Sequence, residues 1–266
     1  MKEGGEQCFC IAEINMVRII MHGCNGRMGQ TISRLVKEDN DVQIVAGIDP
    51  FDGPVNDYPV YKNIYECDIE ADAVIDFASA QAVDNLLSYC LEKKIPVVLC
   101  TTGLSEEQLK KVEEASKSIA VLKSANMSVG VNLLIKILKE NAKVLADAGF
   151  DIEIVEKHHK MKKDAPSGTA LALADSINAA NDNRFAYVYD RSPRLEARRA
   201  DEIGISAVRG GTIVGDHDVI FAGEDEVVTF SHTAYSRAIF GKGAIAAAKF
   251  LAGKESGWYD MQDVIK

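Results

Sequence analysis

Apolar residues fall into short unbroken runs along the first half of the chain, and amphipathic stretches separate them. Val17 to Met21, Val42 to Ile48, Ala73 to Phe77, Val97 to Cys100 and Ile119 to Leu122 are β-branched runs that read as strands. Between them, Met28 to Glu38 places Met28, Ile32, Leu35 and Val36 on one helical face, and Gln81 to Glu92 and Ser105 to Ser116 read as further helices. Apolar strands alternating with helices predict a parallel sheet covered on both faces.

Beyond Asn126 the rhythm changes. A long helix over Val129 to Ala146, a strand over Asp151 to Glu156 and a helix over Gly168 to Ala179 are followed by several strands. Ile203 to Arg209, His217 to Ala222 and Glu226 to His232 are predicted as an antiparallel set joined by GGTIVGD and GED turns. The alanine-rich helix over Arg237 to Ala252 is expected to pack back on the first domain, which makes the second a β-rich insert.

Composition narrows the function classes. The 266 residues carry a net charge of −10, so no global positive field exists to hold a nucleic-acid backbone. No apolar run approaches the length of a spanning helix, so no membrane crossing is expected. Residues 1–15 are acidic where a signal peptide is basic, and read as an extension ahead of the first strand. Cys8, Cys10, Cys24, Cys67, Cys90 and Cys100 are scattered without export signals, which predicts reduced thiols in a cytoplasmic protein.

Three segments carry chemistry. Gly23-Cys24-Asn25-Gly26-Arg27-Met28-Gly29 lies between a strand and a helix, where glycines let backbone N–H groups approach a pyrophosphate. It departs from G-x-G-x-x-G because Asn25 holds the second position, where Asn tolerates positive φ. Asp49 ends the second strand, where an acid accepts hydrogen bonds from ribose hydroxyls. No Lys or Arg follows Asp49 until Lys62, which leans the cofactor to NADH over NADPH. Cys100-Thr101-Thr102-Gly103 and Ser124-Ala125-Asn126-Met127 both follow strands and could line the nicotinamide end.

The sharpest segment is Glu156-Lys-His158-His159-Lys-Met-Lys162-Lys163-Asp-Ala-Pro166-Ser167-Gly168-Thr169. Its lysines and histidines stand beside a helix N-terminus, and together they read as an anion trap. The N–H groups of Gly168 and Thr169 can hold a carboxylate. A histidine exchanges protons near neutral pH, and a lysine held among cations has its pKa pushed down. A zinc set of His158, His159, His217 and His232 is disfavoured, because adjacent histidines on a strand face opposite ways. Arg209-Gly210-Gly211 and Gly215-Asp216-His217 either bring Arg209 or His217 near the pocket or form a plain hairpin turn.

GCNGRMG, CTTG, SANMSVGVN, E-x-HHxxKxDAPSGTA, VRGGxxxGDHxVxF and GKESGWYDMQDVI, in this order from Met16 onward, resemble the dihydrodipicolinate reductase family. The resemblance implies a Rossmann-type domain over 16–127 plus 237–266, interrupted by an α+β domain over 128–236 whose mixed open sheet builds a homotetramer. It implies hydride transfer from NADH or NADPH to a cyclic unsaturated imine dicarboxylate in lysine and diaminopimelate synthesis, with no metal. By motif, His158 falls on the family's acid/base position and Lys162 on its proton-donor position, and His159, Gly168 and Thr169 on its carboxylate positions. Gly23 to Met28, Asp49, Cys100 to Thr102 and Ser124 to Met127 fall on its cofactor positions. Cys100 stands where a glycine is common, and Pro50 where some members carry a basic residue.

Two rival readings have their own signatures. Another dehydrogenase on this architecture would show a catalytic Cys or a lysine-aspartate pair instead of HHxxK. A non-enzymatic NAD-responsive sensor would need an effector surface, usually a basic DNA-binding module.

Overall fold

The computed structural model describes residues 16–265, so the reading of residues 1–15, with Cys8 and Cys10, lies outside the described residues. The chain runs β1 (Val17–His22), α1 (Arg27–Val36), β2 (Val42–Ile48), β3 (Val60–Tyr61) and β4 (Ala73–Asp76), then α2 (Val83–Lys93), β5 (Val97–Leu99), α3 (Glu106–Ser116) and β6 (Ala120–Leu122). Next come α4 (Val129–Asp147), β7 (Asp151–His158), α5 (Gly168–Ala180), β8 (Ala186–Val188), β9 (Glu202–Arg209), β10 (Gly215–Ala222) and β11 (Val227–Ala234). It closes with α6 (Ala238–Leu251), β12 (Gly257–Tyr259) and α7 (Met261–Val264).

Seven strands form one parallel sheet in the order β12-β6-β5-β4-β1-β2-β3. Their continuous apolar sequence follows from burial on both faces. One face packs Ile19, Met21, Ile75 and Leu122 against Ile32 of α1 and Ala244, Ala248 and Leu251 of α6. The other packs Ile20, Val74, Leu99 and Val121 against Leu86 of α2 and Val112 of α3. The late helix α6 therefore does return to the first sheet, and its small residues permit close approach: a Cβ at Gly243 would collide with Met127 O.

The second sheet is mixed, in the order β11-β10-β7-β9-β8. This corrects the expected antiparallel set. The β10–β11 hairpin forms across the GED turn, but β7 lies between β9 and β10 and pairs with β9 in parallel. The GGTIVGD segment is thus a crossover past β7 and not a hairpin turn. Short alternating strands specify which residues face inward but not which strand lies beside them.

Helices α4 and α5 cover only one face of this sheet, with Leu134, Leu138, Leu173 and Ile177 on Ile152, Ile154, Ile205, Val219 and Phe221. On the opposite face, Val208 and Val227 are exposed.

Candidate active site

The first half of the site lies along the carboxyl edge of the parallel sheet, where β1 gives way to β2 on one side and to β4 on the other. Such a reversal is where doubly wound sheets bind ligands. Gly23 leaves β1 at φ +81°, and a Cβ there would stand 2.8 Å from Phe77 O. The left-handed residue of the turn is therefore Gly23, and Asn25 does not use the positive φ that it tolerates. Asn25 instead works through its side chain: Nδ2 donates to Phe51 O at 2.7 Å, and Oδ1 accepts from Asn56 at 3.1 Å.

Gly26 caps α1 without any side-chain hydrogen bond, so the first N–H groups of that helix, from Arg27 and Met28 onward, remain available to an anion. Gly29 lets the helix sit directly on the turn, since a Cβ there would meet backbone atoms of Cys24 at 2.5 and 2.6 Å. Asp49 is buried at the end of β2, accepting from Asn25 N at 3.0 Å and Phe51 N at 3.1 Å. Cys24 is packed beneath the turn, and burial pushes its thiol pKa up to about 11.

After β5, burial raises the Cys100 thiol well above its ordinary value, and buried Thr101 carries a hydroxyl with no partner. Thr102 is exposed beside it. After β6, Ser124 and Asn126 are half-buried, Ala125 is exposed and Met127 is buried. These features fit a nicotinamide dinucleotide: glycine positions that a Cβ would fill, an uncapped helix N-terminus and an unpaired buried hydroxyl along one edge. The turn would hold the pyrophosphate, Asp49 the ribose, and the loops after β5 and β6 the nicotinamide end.

The second half of the site is built by register. On β7, Ile152, Ile154, Glu156 and His158 face inward, so the strand passes from apolar core to polar site along one face. Pairing sets His217 of β10 opposite Glu156 and Arg209 of β9 opposite His158. Glu156 is wholly buried: Oε1 accepts from Ser167 N at 2.9 Å and Arg209 Nη2 at 2.7 Å. Its Oε2 meets Arg209 Nη1 at 2.8 Å and His158 Nδ1 at 2.6 Å. Burial pushes the Glu156 carboxyl up, but hydrogen bonds from Arg209 and His158 outweigh it and hold the pKa below its ordinary value.

His217 packs edge-on to His158 with ring centroids 5.2 Å apart, and its Nε2 lies 3.0 Å from Ser167 Oγ. Burial, with the nearby His158, pushes its pKa down to about 4, so its ring is neutral. Ser167 caps α5 by accepting from Ala170 N at 3.1 Å. The space where a Cβ of Gly168 would stand is open, and Thr169 follows on the same first turn. This leaves room for a carboxylate against free N–H groups.

Lys162 is turned back by the loop after β7, and its Nζ pairs with Asp164 at 2.8 Å. That corrects the expected lysine among cations: its nearest charge is an acid. Lys157 faces the far side of the sheet, bound to Asp218 at 2.9 Å, and takes no part in the trap. His159 is half-buried at the start of the loop. Of the two readings of the 209–217 segment, the structure shows that both Arg209 and His217 enter the site. Among the described residues, no group of three or more His, Cys, Asp or Glu side chains has metal-holding geometry.

The two halves touch. Asn126 Nδ2 donates to Thr169 Oγ1 at 2.9 Å, tying the loop after β6 to the first turn of α5. Sequence reading placed these residues in separate sites and gave no role to Glu156. The period-2 spacing of Glu156 and His158 was the available signal for the latter. It also passed over His22 and Asp76, whose buried 2.7 Å contact lies under the glycine turn.

A dinucleotide edge joined to an acid-base cluster and an anion cradle defines a Rossmann-type nicotinamide-dependent oxidoreductase. Models of the dihydrodipicolinate reductase N-terminus and C-terminus match residues 17–127 and 130–265, and the chain belongs to the dihydrodipicolinate reductase family. It is 57% identical to the 4-hydroxy-tetrahydrodipicolinate reductase of Caldanaerobacter subterraneus, over 94% of this chain and 99% of that protein. Against the enzyme of the same name from Clostridium tetani it is 51% identical, over 92% and 96%. A dipicolinate-bound dihydrodipicolinate reductase from Paenisporosarcina sp. superposes with a TM-score of 0.76 at 26% identity, covering 94% of this chain and all of the other.

Proposed function

We propose that this chain reduces the cyclic imine dicarboxylate derived from 4-hydroxy-tetrahydrodipicolinate to tetrahydrodipicolinate, with His158 and Lys162 supplying the proton. The observation that carries the reading is the Asn126–Thr169 hydrogen bond at 2.9 Å, because it sets a dinucleotide edge against a dicarboxylate cradle. A bound nicotinamide supplies the hydride. Hydride addition leaves the substrate ring with an electron pair that must be protonated, and the chain answers with acids beside the cradle. His158 keeps Nδ1 on Glu156 and can release a proton from Nε2. Lys162, in the loop after β7 and paired with Asp164, offers its ammonium as the second donor. The N–H groups of Gly168 and Thr169, with His159, hold the substrate carboxylates.

For the cofactor, NADH is the favoured partner. A second phosphate on the ribose would approach the buried Asp49 carboxylate, which repels it. Arg27, exposed in the first turn of α1, is the cation through which NADPH would still be accepted. Residues 16–127 with 237–266 carry the dinucleotide, and 128–236 the substrate. The helix-free face bearing Val208 and Val227 joins copies of the chain into a homotetramer.

The test is oxidation of NADH and of NADPH, followed at the nicotinamide absorbance, with substrate generated in place by a coupled synthase. Turnover with a higher kcat/KM for NADH is expected, and light scattering should give the mass of four chains. Tight NADH binding without turnover would overturn the enzyme reading in favour of an NAD-responsive sensor.

A further inference from the structure

We infer that Glu156 and Arg209 form a positioning pair that fixes the His158 ring with a proton on Nδ1, leaving Nε2 as its one proton-delivering nitrogen. The inference rests on the proton-donor reading of His158 given above. Its basis is the saturation of one buried carboxylate. Glu156 accepts from Ser167 N, from both terminal nitrogens of Arg209 and from His158 Nδ1, all between 2.6 and 2.9 Å. Arg209 cannot lose its charge, and its bidentate grip leaves Oε2 only an acceptor role toward the ring. His158 Nδ1 must then be the donor in every protonation state of the ring.

The charged and titratable groups around His158 are consistent with this. Glu156 lies on its own strand, Arg209 comes from β9, and the loop after β7 brings Lys162 already paired with Asp164. From β10 comes His217, edge-on and neutral, which offers the ring no competing anion. On the Nε2 side stands Gly215, where a Cβ would lie 3.0 Å from that nitrogen, so the glycine keeps the delivering atom unobstructed.

The same pair binds the rest of the site to this geometry. Glu156 holds the backbone of Ser167, the cap of the carboxylate cradle, and Arg209 Nη2 donates to Asp164 O at 2.6 Å, in the loop of Lys162. In the proton transfer the Nε2–H bond of the imidazolium breaks and its electron pair stays on nitrogen. The proton goes to the ring carbon made electron-rich by hydride addition, and Nδ1 keeps its proton on Glu156. Glu156 thus acts through His158 and never touches the reacting atoms.

The experiment is the pH profile of kcat/KM for Glu156→Gln, read beside the NADH dissociation constant. Gln keeps the shape but removes the negative charge that faces Nδ1, so the basic limb should move to lower pH. Activity above that limb should fall on the order of tenfold, with NADH affinity unchanged. A uniform loss with an unmoved limb would overturn the inference and leave Glu156 a packing residue. If Glu156→Gln does not fold, the 15N spectrum of the wild-type ring decides, with His158→Gln assigning the signal. Protonated Nδ1 with bare Nε2 in the neutral ring supports the pair, and the opposite tautomer overturns it. Undiminished turnover in His158→Gln would instead overturn the proton-donor reading, whereas its collapse together with an unmoved limb in Glu156→Gln overturns the positioning pair alone.

Discussion

Gly29→Ala is the sharpest probe of the dinucleotide turn, because what the new methyl would meet is backbone. A Cβ at position 29 would stand 2.5 Å from Cys24 O and 2.6 Å from Cys24 Cα, with Gly23 O closer still. Ordinary contact between such atoms is about 3.5 Å, so α1 would have to draw back by roughly 1 Å from the turn. No side chain can rotate to relieve the clash. Overpacking of this kind costs about 1–3 kcal/mol, and in a chain of this size each kcal/mol lowers Tm by roughly 2–4 °C. The same retreat moves the uncapped N–H groups of α1 away from the pyrophosphate, so NADH affinity should fall by about tenfold or more. Thermal unfolding and fluorescence titration with NADH read the two effects separately. An alanine variant that melts and binds NADH like the parent would refute the role given to this glycine.

Gly168→Ala should behave in the opposite sense. The free protein has open space at that Cβ, so stability should hold or rise by up to about 1 kcal/mol, while dipicolinate binding measured by calorimetry weakens and NADH binding does not change. Asn126→Ala removes the link between the half-sites; a hydrogen bond worth about 0.5–1.5 kcal/mol predicts a fall in kcat/KM of roughly 2- to 12-fold, and the same loss should appear in steady-state kinetics of Thr169→Val without adding to it. His217 has its pKa depressed from 6.5 to about 4, so the unfolded chain binds the extra proton first as pH falls. Its contribution is therefore whole above pH 6.5 and lost between 6.5 and about 4, amounting to up to about 3 kcal/mol, and His217→Phe should flatten denaturant-measured stability over that window.

How far the sequence carries the reader depends on the distance over which each feature is encoded. The run Val42–Ile48 is a strand at the predicted boundaries because an apolar β-branched segment bounded by polar residues is a local signal. The helix expected over Gln81 to Glu92 begins instead as a single 3₁₀ turn at Ala80–Ala82 before α2, a boundary detail that local pattern does not set. Short strands such as β3 and β12 are too brief to show a period at all, and they exist because β2 and β6 offer them an edge. The β9–β7–β10 arrangement was hidden for the same reason: strand faces are written in alternation, but neighbours are chosen by tertiary packing. In the site, the residue types of the 156–169 segment were legible, while their division between the two faces of β7 needed the strand parity applied residue by residue. That parity sends Lys157 outward to Asp218 and Glu156 inward to His158. Contacts such as Asn126–Thr169, 43 residues apart, have no local signature.

The central claim is that the cluster opposite the dinucleotide edge protonates the substrate that receives the hydride. Its most direct test compares NADH turnover in the parent, His158→Gln and Lys162→Ala, with substrate made in place and NADH affinity measured on each protein. The account predicts a loss of roughly 100-fold or more in kcat for both variants with NADH affinity retained. Turnover unchanged by either substitution, in proteins that still bind NADH, would contradict it.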